Sequence, residues 1–169
     1  PILVTILYLP GTAIGLGLIT IVGQCVGAGR LSEAKRYAKS LIGVNYAILL
    51  VLSSSMVLFS GELVGIYRLS EQALRLSREL ITAHSIAMLV WPLAFTIPHT
   101  LRASLDARFT MAVSVFSMWT FRIGFAYLFV YICKLGVMGI WYGMFIDWIF
   151  RAAVFTLRFK GFEKRAASV

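Results

Sequence analysis

The chain has 169 residues, of which 60% are hydrophobic and only 14% charged, with two cysteines and a formal net charge of +9. At a mean hydropathy of +0.87 there is too little polar surface to cover a core in water, which excludes a soluble domain. The positive charge excludes nucleic acid rather than indicating it, because the basic residues gather in short connections between apolar runs, a membrane-topology signal.

Five apolar stretches are each long enough to cross a hydrocarbon layer about 30 Å thick. The predicted fold class is therefore all-α, a polytopic transmembrane helix bundle. Its single transmembrane domain, 1–169, has spans near 1–28, 34–60, 71–101, 109–133 and 135–157 and a basic tail at 158–169. The lipid bilayer is its first expected partner. The chain opens on Pro1 rather than Met without the basic region of a signal peptide, so it is expected to belong to a longer parent.

The first span carries Pro10, expected to kink it, and the small-xxx-small pairs Gly11–Gly15 and Gly23–Gly27, which let a neighbouring helix approach. Gly29 suits a helix C-cap, and Ser32 followed by Glu33 reads as the next N-cap. The second span is apolar apart from Asn45 and Ser53 to Ser55, and Gly61 to Leu69 reads as a connection. Ser70 is the predicted N-cap of a third helix that begins amphipathic (Arg75, Arg78 and Glu79 among leucines) and is interrupted at Pro92 and Pro98. Cys25 and Cys133 are too few and too far apart for a disulfide framework or a metal site.

Orientation follows from the basic residues. Ten (Arg30, Lys35, Arg36, Lys39, Arg102, Arg108, Arg158, Lys160, Lys164 and Arg165) fall on one side, against four (Arg68, Arg75, Arg78 and Lys134) on the other. That places the C-terminus in the cytoplasm.

Charges inside spans are costly and need a partner or water. Arg122 lies in span four, with Asp147 and Arg151 one helical turn apart in span five. At 1.5 Å per residue Arg122 is about 20 Å and Asp147 about 16 Å from the cytoplasmic ends of their helices. An intramembrane polar network of Arg122, Asp147 and Arg151 is thus expected, either a protonatable site at Asp147 or a static ion pair. His84, near mid-membrane in span three, is a candidate proton relay or an interhelical hydrogen-bond donor. Trp91, beside Pro92, is a candidate to line a cavity and stack on a flat or cationic ligand, or else packs. Without a phosphate-binding Gly-Lys-Ser/Thr loop, a metal cluster or a nucleophile arrangement, the sequence offers no catalytic residues and no cofactor, and an enzyme is not expected.

Several motifs carry a family resemblance. The run Val22-Gly23-Gln24-Cys25-Val26-Gly27-Ala28-Gly29, with Glu33-Ala34-Lys35, resembles the end of an even-numbered helix in multidrug and toxic compound extrusion (MATE) transporters. Leu101 to Thr110 resembles that family's Leu-Arg-x-x-Gly-Asp connection, with Leu105 in place of the glycine, a change expected to alter its backbone. The segments Met118 to Ile123, Leu135 to Trp141, Ile146 to Arg151 and Arg158-Phe159 are similar to the last two helices of bacterial members.

The resemblance implies two six-helix lobes, of which this chain would supply five helices of the second. The N-terminal lobe and one helix are then absent partners of the same polypeptide. It implies export of drugs or other small organic cations by antiport with H⁺ or Na⁺, in a bacterial plasma membrane. The family's coupling carboxylates lie largely on helices outside this stretch. The competing expectations are a lipid-linked sugar flippase of the same superfamily and a truncated, inactive membrane remnant.

Overall fold

The structure is a computed structural model that describes residues 2–65, 71–104 and 106–162. The features expected at Arg68, Ser70, Leu105, Lys164 and Arg165 lie outside the described residues.

Every described element is helical: α1 (Ile2–Gly27), α2 (Leu31–Leu58), α3 (Ser60–Gly65), α4 (Glu71–Ala87), α5 (Ile97–Ala103), α6 (Ala107–Ser117) and α7 (Gly136–Lys160). Three π-helical segments accompany them, at Pro92–Thr96, Met118–Phe125 and Leu128–Ile132. Four helices are long and apolar enough to cross a membrane, and a bent pair, Glu71–Ala87 with Pro92–Ala103, makes a fifth span.

The α1–α2 turn closes as a Schellman motif. The Arg30 N–H donates to the Cys25 carbonyl at 2.8 Å and the Gly29 N–H to that of Val26 at 3.0 Å, with Gly29 at φ +73°. Gly29 thus caps α1 as its sequence suggests. Ser32 does not cap α2: the helix starts earlier, with Arg30 in the cap position and no side-chain cap bond. Glu33 in its first turn pairs with Arg30 at 3.6 Å. α1 continues through Pro10 as one helix, where the Thr12 hydroxyl donates to the Tyr8 carbonyl at 2.6 Å, one of the ways membrane helices tolerate proline. Part of the expected connection after α2 is helical as well, as α3.

Span three bends by 58°, just before the expected proline. The N–H groups of Leu89, Val90 and Trp91 bond three residues back, to Ile86, Ala87 and Met88, so the ladder tightens before Pro92, which has no N–H to give. Pro98 breaks nothing: it follows the π-helical turn Pro92–Thr96, where the Ile97 N–H donates to the Pro92 carbonyl, and α5 continues through it.

Two apolar clusters fill the bundle. One joins Leu7, Leu49, Met88, Trp91, Trp148 and Ala152; the other joins Leu18, Val22, Ala34, Ala38, Phe155 and Phe159. Helix α7 contributes to both, along a buried stripe that includes Gly139, Gly143, Asp147, Arg151, Phe155 and Phe159. The four-residue steps in that stripe are those of one helix face, and this face brings Asp147 and Arg151 inside.

Candidate functional site

Asp147 is fully buried and Arg151 nearly so. The Arg151 Nε donates to Asp147 Oδ1 at 2.9 Å, and its Nη2 donates to the Ser114 carbonyl of α6 at 3.1 Å. The pair is therefore an intrahelical ion pair tied to the neighbouring span through backbone. Arg122 does not join it. Its side chain is exposed, while its backbone carbonyl lies against Gly143 of α7. The expected three-member network is a two-member one, because the helix containing Arg122 presents its backbone, not its guanidinium, to α7.

His84 is buried between two indoles of α7, meeting Trp141 edge-on at 5.0 Å between ring centroids and Trp148 at 5.5 Å. Neither imidazole nitrogen has a hydrogen-bond partner, and neither do Asp147 Oδ2 and Trp148 Nε1. Histidine therefore connects α4 to α7 through aromatic contact, without the interhelical hydrogen bond its type allows. The aromatic series continues from Trp148 to Phe95, 5.6 Å away, and from Phe95 to Trp91, stacked at 5.2 Å. Arg151 lies over the Phe95 ring at 5.6 Å, so the ion pair and the aromatic series meet at Phe95.

Trp91 is buried and fills the notch left by the missing Cβ of Gly11. Its ring faces are used by the protein's own packing. Gly15 does the same for His99, whose Nε2 would lie 2.7 Å from an added Cβ. Beside Trp91, the Asn45 amide donates to the Thr96 hydroxyl at 2.8 Å, leaving its own Oδ1 buried and unpartnered. A groove of about 380 Å³ opens between α4 and α7, with Ala83, Ala87, Phe145 and Trp148 among its walls. Among the described residues, no three His, Cys, Asp or Glu side chains converge as they would on a metal ion.

A further ion pair, between separate elements, was not anticipated. Arg158 donates to both carboxylate oxygens of Asp106, at 2.8 Å and 3.1 Å, and covers the Phe109 ring at 4.2 Å. It fastens the α5–α6 connection to the end of α7. Each partner stands in a separate motif of the sequence, and nothing in a separation of 52 residues pairs them before the helices are packed.

Comparison with known proteins adds the following. The MatE family model matches residues 2–128. The chain is 27% identical over 163 residues to "Probable multidrug resistance protein NorM" of Bacillus subtilis strain 168, covering 95% of this chain and 36% of that protein. It is 24% identical over 135 residues to "Probable multidrug resistance protein YoeA" of the same organism, covering 80% of this chain and 29% of that protein. It thus spans about a third of the length of these curated relatives. In fold it is similar to the crystal structure of MATE in complex with MaL6, with a TM-score of 0.83 at 18% identity over 99% of this chain and 38% of that one.

Proposed function

The chain belongs to the MatE family, and from that premise we propose that it forms part of a secondary active transporter exporting drugs or other organic cations by antiport with H⁺ or Na⁺. The observation that carries the proposal is the family match, and it draws support from the geometry of the third span. Broken helices with notched neighbours are the parts from which secondary transporters build sites and moving elements, and here α4 and the Pro92–Ala103 segment meet at 58° with Trp91 seated in the Gly11 notch. The distribution of Lys and Arg supports a cytoplasmic C-terminus in a bacterial plasma membrane. The remaining helices of the transporter, including a first lobe, would be its partners.

The test is dye efflux. The protein that carries this chain is expressed in a bacterial strain lacking its major efflux pumps, and loss of preloaded ethidium is followed. Energised cells should lose dye faster than cells with an empty vector. Collapse of either the proton or the sodium gradient should abolish the difference and so identify the ion. Efflux that survives loss of both gradients, or no efflux of any cationic dye from well-expressed protein, would rule the proposal out.

A further inference from the structure

Span three consists of two segments that the chain holds in different ways. The last four-residue bond of α4 runs from the Met88 N–H to the His84 carbonyl, and the next, from Ala94 to Val90, lies beyond Pro92. Between them stand three-residue bonds and a proline with no donor, so the regular ladder does not carry the direction of α4 into the segment that follows.

Beyond the break the segment is fixed at several points. Trp91 sits against Gly11 of α1 and His99 against Gly15, and the Asn45 amide of α2 bonds Thr96. The Pro92–Thr96 turn lies close along α7. Past Ala103, the bidentate Asp106–Arg158 pair ties the following connection to the end of α7. Before the break, α4 packs along α2 and α3, and the Arg78 guanidinium lies against Gly61, joining α4 to α3. Its backbone stays farther from α7, with the groove of about 380 Å³ between them. What α4 extends to α7 is the His84 ring, edge-on to Trp141 and Trp148. That contact buries both His84 nitrogens, the Ser85 hydroxyl and Trp148 Nε1 without partners, a desolvation cost recovered when the groups reach water. Unpartnered atoms occur beyond the break too, at Asn45 and Thr100, but there the notches and the Asn45–Thr96 bond hold the segment.

We propose that span three is hinged at Met88–Trp91, and that α4, together with α3, swings away from α7 while Pro92–Ala103 stays packed on α1 and α7. His84 is the latch. Its ring contacts hold the closed position, and its two buried nitrogens favour the open one. The swing widens the groove between α4 and α7, the kind of motion that a few residues at an element's end absorb. The proposal deepens the transporter reading and rests on it for the use of the motion in export.

The experiment measures the swing directly. The protein that carries this chain, its other cysteines replaced, is spin-labelled at Arg75→Cys in α4 and Ile140→Cys in α7. A reference form is labelled at Arg102→Cys and Ile140→Cys. Both are placed in nanodiscs, and interspin distances are read by double electron–electron resonance with and without ethidium. Arg75 is about 20 Å from the hinge along the helix, so a swing of about 15° moves it by about 5 Å. The Arg75–Ile140 pair should show two distances whose balance ethidium shifts, and the reference pair one. His84→Ala, which removes the ring contacts, should raise the longer share about threefold or more. His84→Phe keeps a ring but has no nitrogen to hydrate, so it should lower that share below wild type. A single Arg75–Ile140 distance, unchanged by ethidium and by either substitution, overturns the proposal. An equal shift in the reference pair overturns it too, since span three would then move as one rod. These distances are read without transport. A fixed α4 in a protein that expels ethidium therefore removes the hinge alone, whereas a moving α4 in one that expels nothing upholds the hinge and removes the transporter reading.

Discussion

At residue scale, the Asp147–Arg151 pair decides how much of the interior is structural. Charges taken out of water are repaid only by good geometry and further hydrogen bonds. Arg151 has both, bonding Asp147 Oδ1 and the Ser114 carbonyl, whereas the second Asp147 oxygen is unpartnered. Removing the carboxylate alone strands a buried guanidinium, so Asp147→Ala should cost about 3–5 kcal/mol. Replacing both, Asp147→Leu with Arg151→Met, should recover most of that loss. Melting of the purified variants against wild type checks it. A stable Asp147→Ala protein that no longer transports would instead make this carboxylate a coupling group. The pair was legible because a four-residue spacing on a helix guarantees proximity whatever the tertiary fold. The absence of Arg122 was not legible, since which face of span four meets α7 depends on a helical register that hydropathy does not report.

That register belongs to the scale of elements. Span four begins as α-helix and widens into π-helical turns from Met118 to Phe125 and again from Leu128 to Ile132. The change starts beside the Ser114 carbonyl, which accepts from the Met118 N–H and from Arg151 of α7. A carbonyl drawn toward a neighbouring cation holds the i→i−4 ladder less tightly, which is where a π-bulge can be accommodated. The widened turns press on α7 where it has glycine. An added Cβ at Gly143 would lie 2.9 Å from the Ala126 nitrogen and 3.2 Å from the Arg122 carbonyl, and one at Gly139 3.0 Å from the Phe129 backbone. Backbone cannot yield as a side chain can, so Gly143→Ala should destabilise by about 1–3 kcal/mol, as overpacking does. Gly23→Ala, with nothing within 4 Å of the new methyl, should be neutral or gain up to about 1 kcal/mol from helix propensity. Equal melting temperatures for these two variants would show that the α7 contact is not close. Glycine spacing alone could not rank these sites. Gly11–Gly15 and Gly23–Gly27 have the same pattern, yet only the first meets neighbours, because notch partners come from residues far along the chain. The ends of the long helices, by contrast, fall within a few residues of the ends of the apolar stretches, since helix length and apolarity show in the sequence whatever the packing.

At the scale of the whole molecule, the question is what this stretch can do unaided. Alternating access requires two bodies that rock about a site held between them, and the chain has one set of helices packed around α7, which runs through both apolar clusters. Among the described residues, both apolar clusters share α7, and Trp91, the residue best suited to line a cavity, is locked into α1. The 169 residues reconstituted alone in proteoliposomes should therefore insert as helices and move no dye, even with proton and sodium gradients imposed together. The measurement is ethidium uptake into such vesicles, alongside vesicles containing the longer protein that carries the chain, with circular dichroism to confirm helix content. Uptake by the longer protein only would locate the moving interface between this bundle and segments beyond it. Gradient-dependent uptake by the isolated chain would mean that the 58° bend of span three suffices to open a path, and the two-body requirement would have to be abandoned for this molecule.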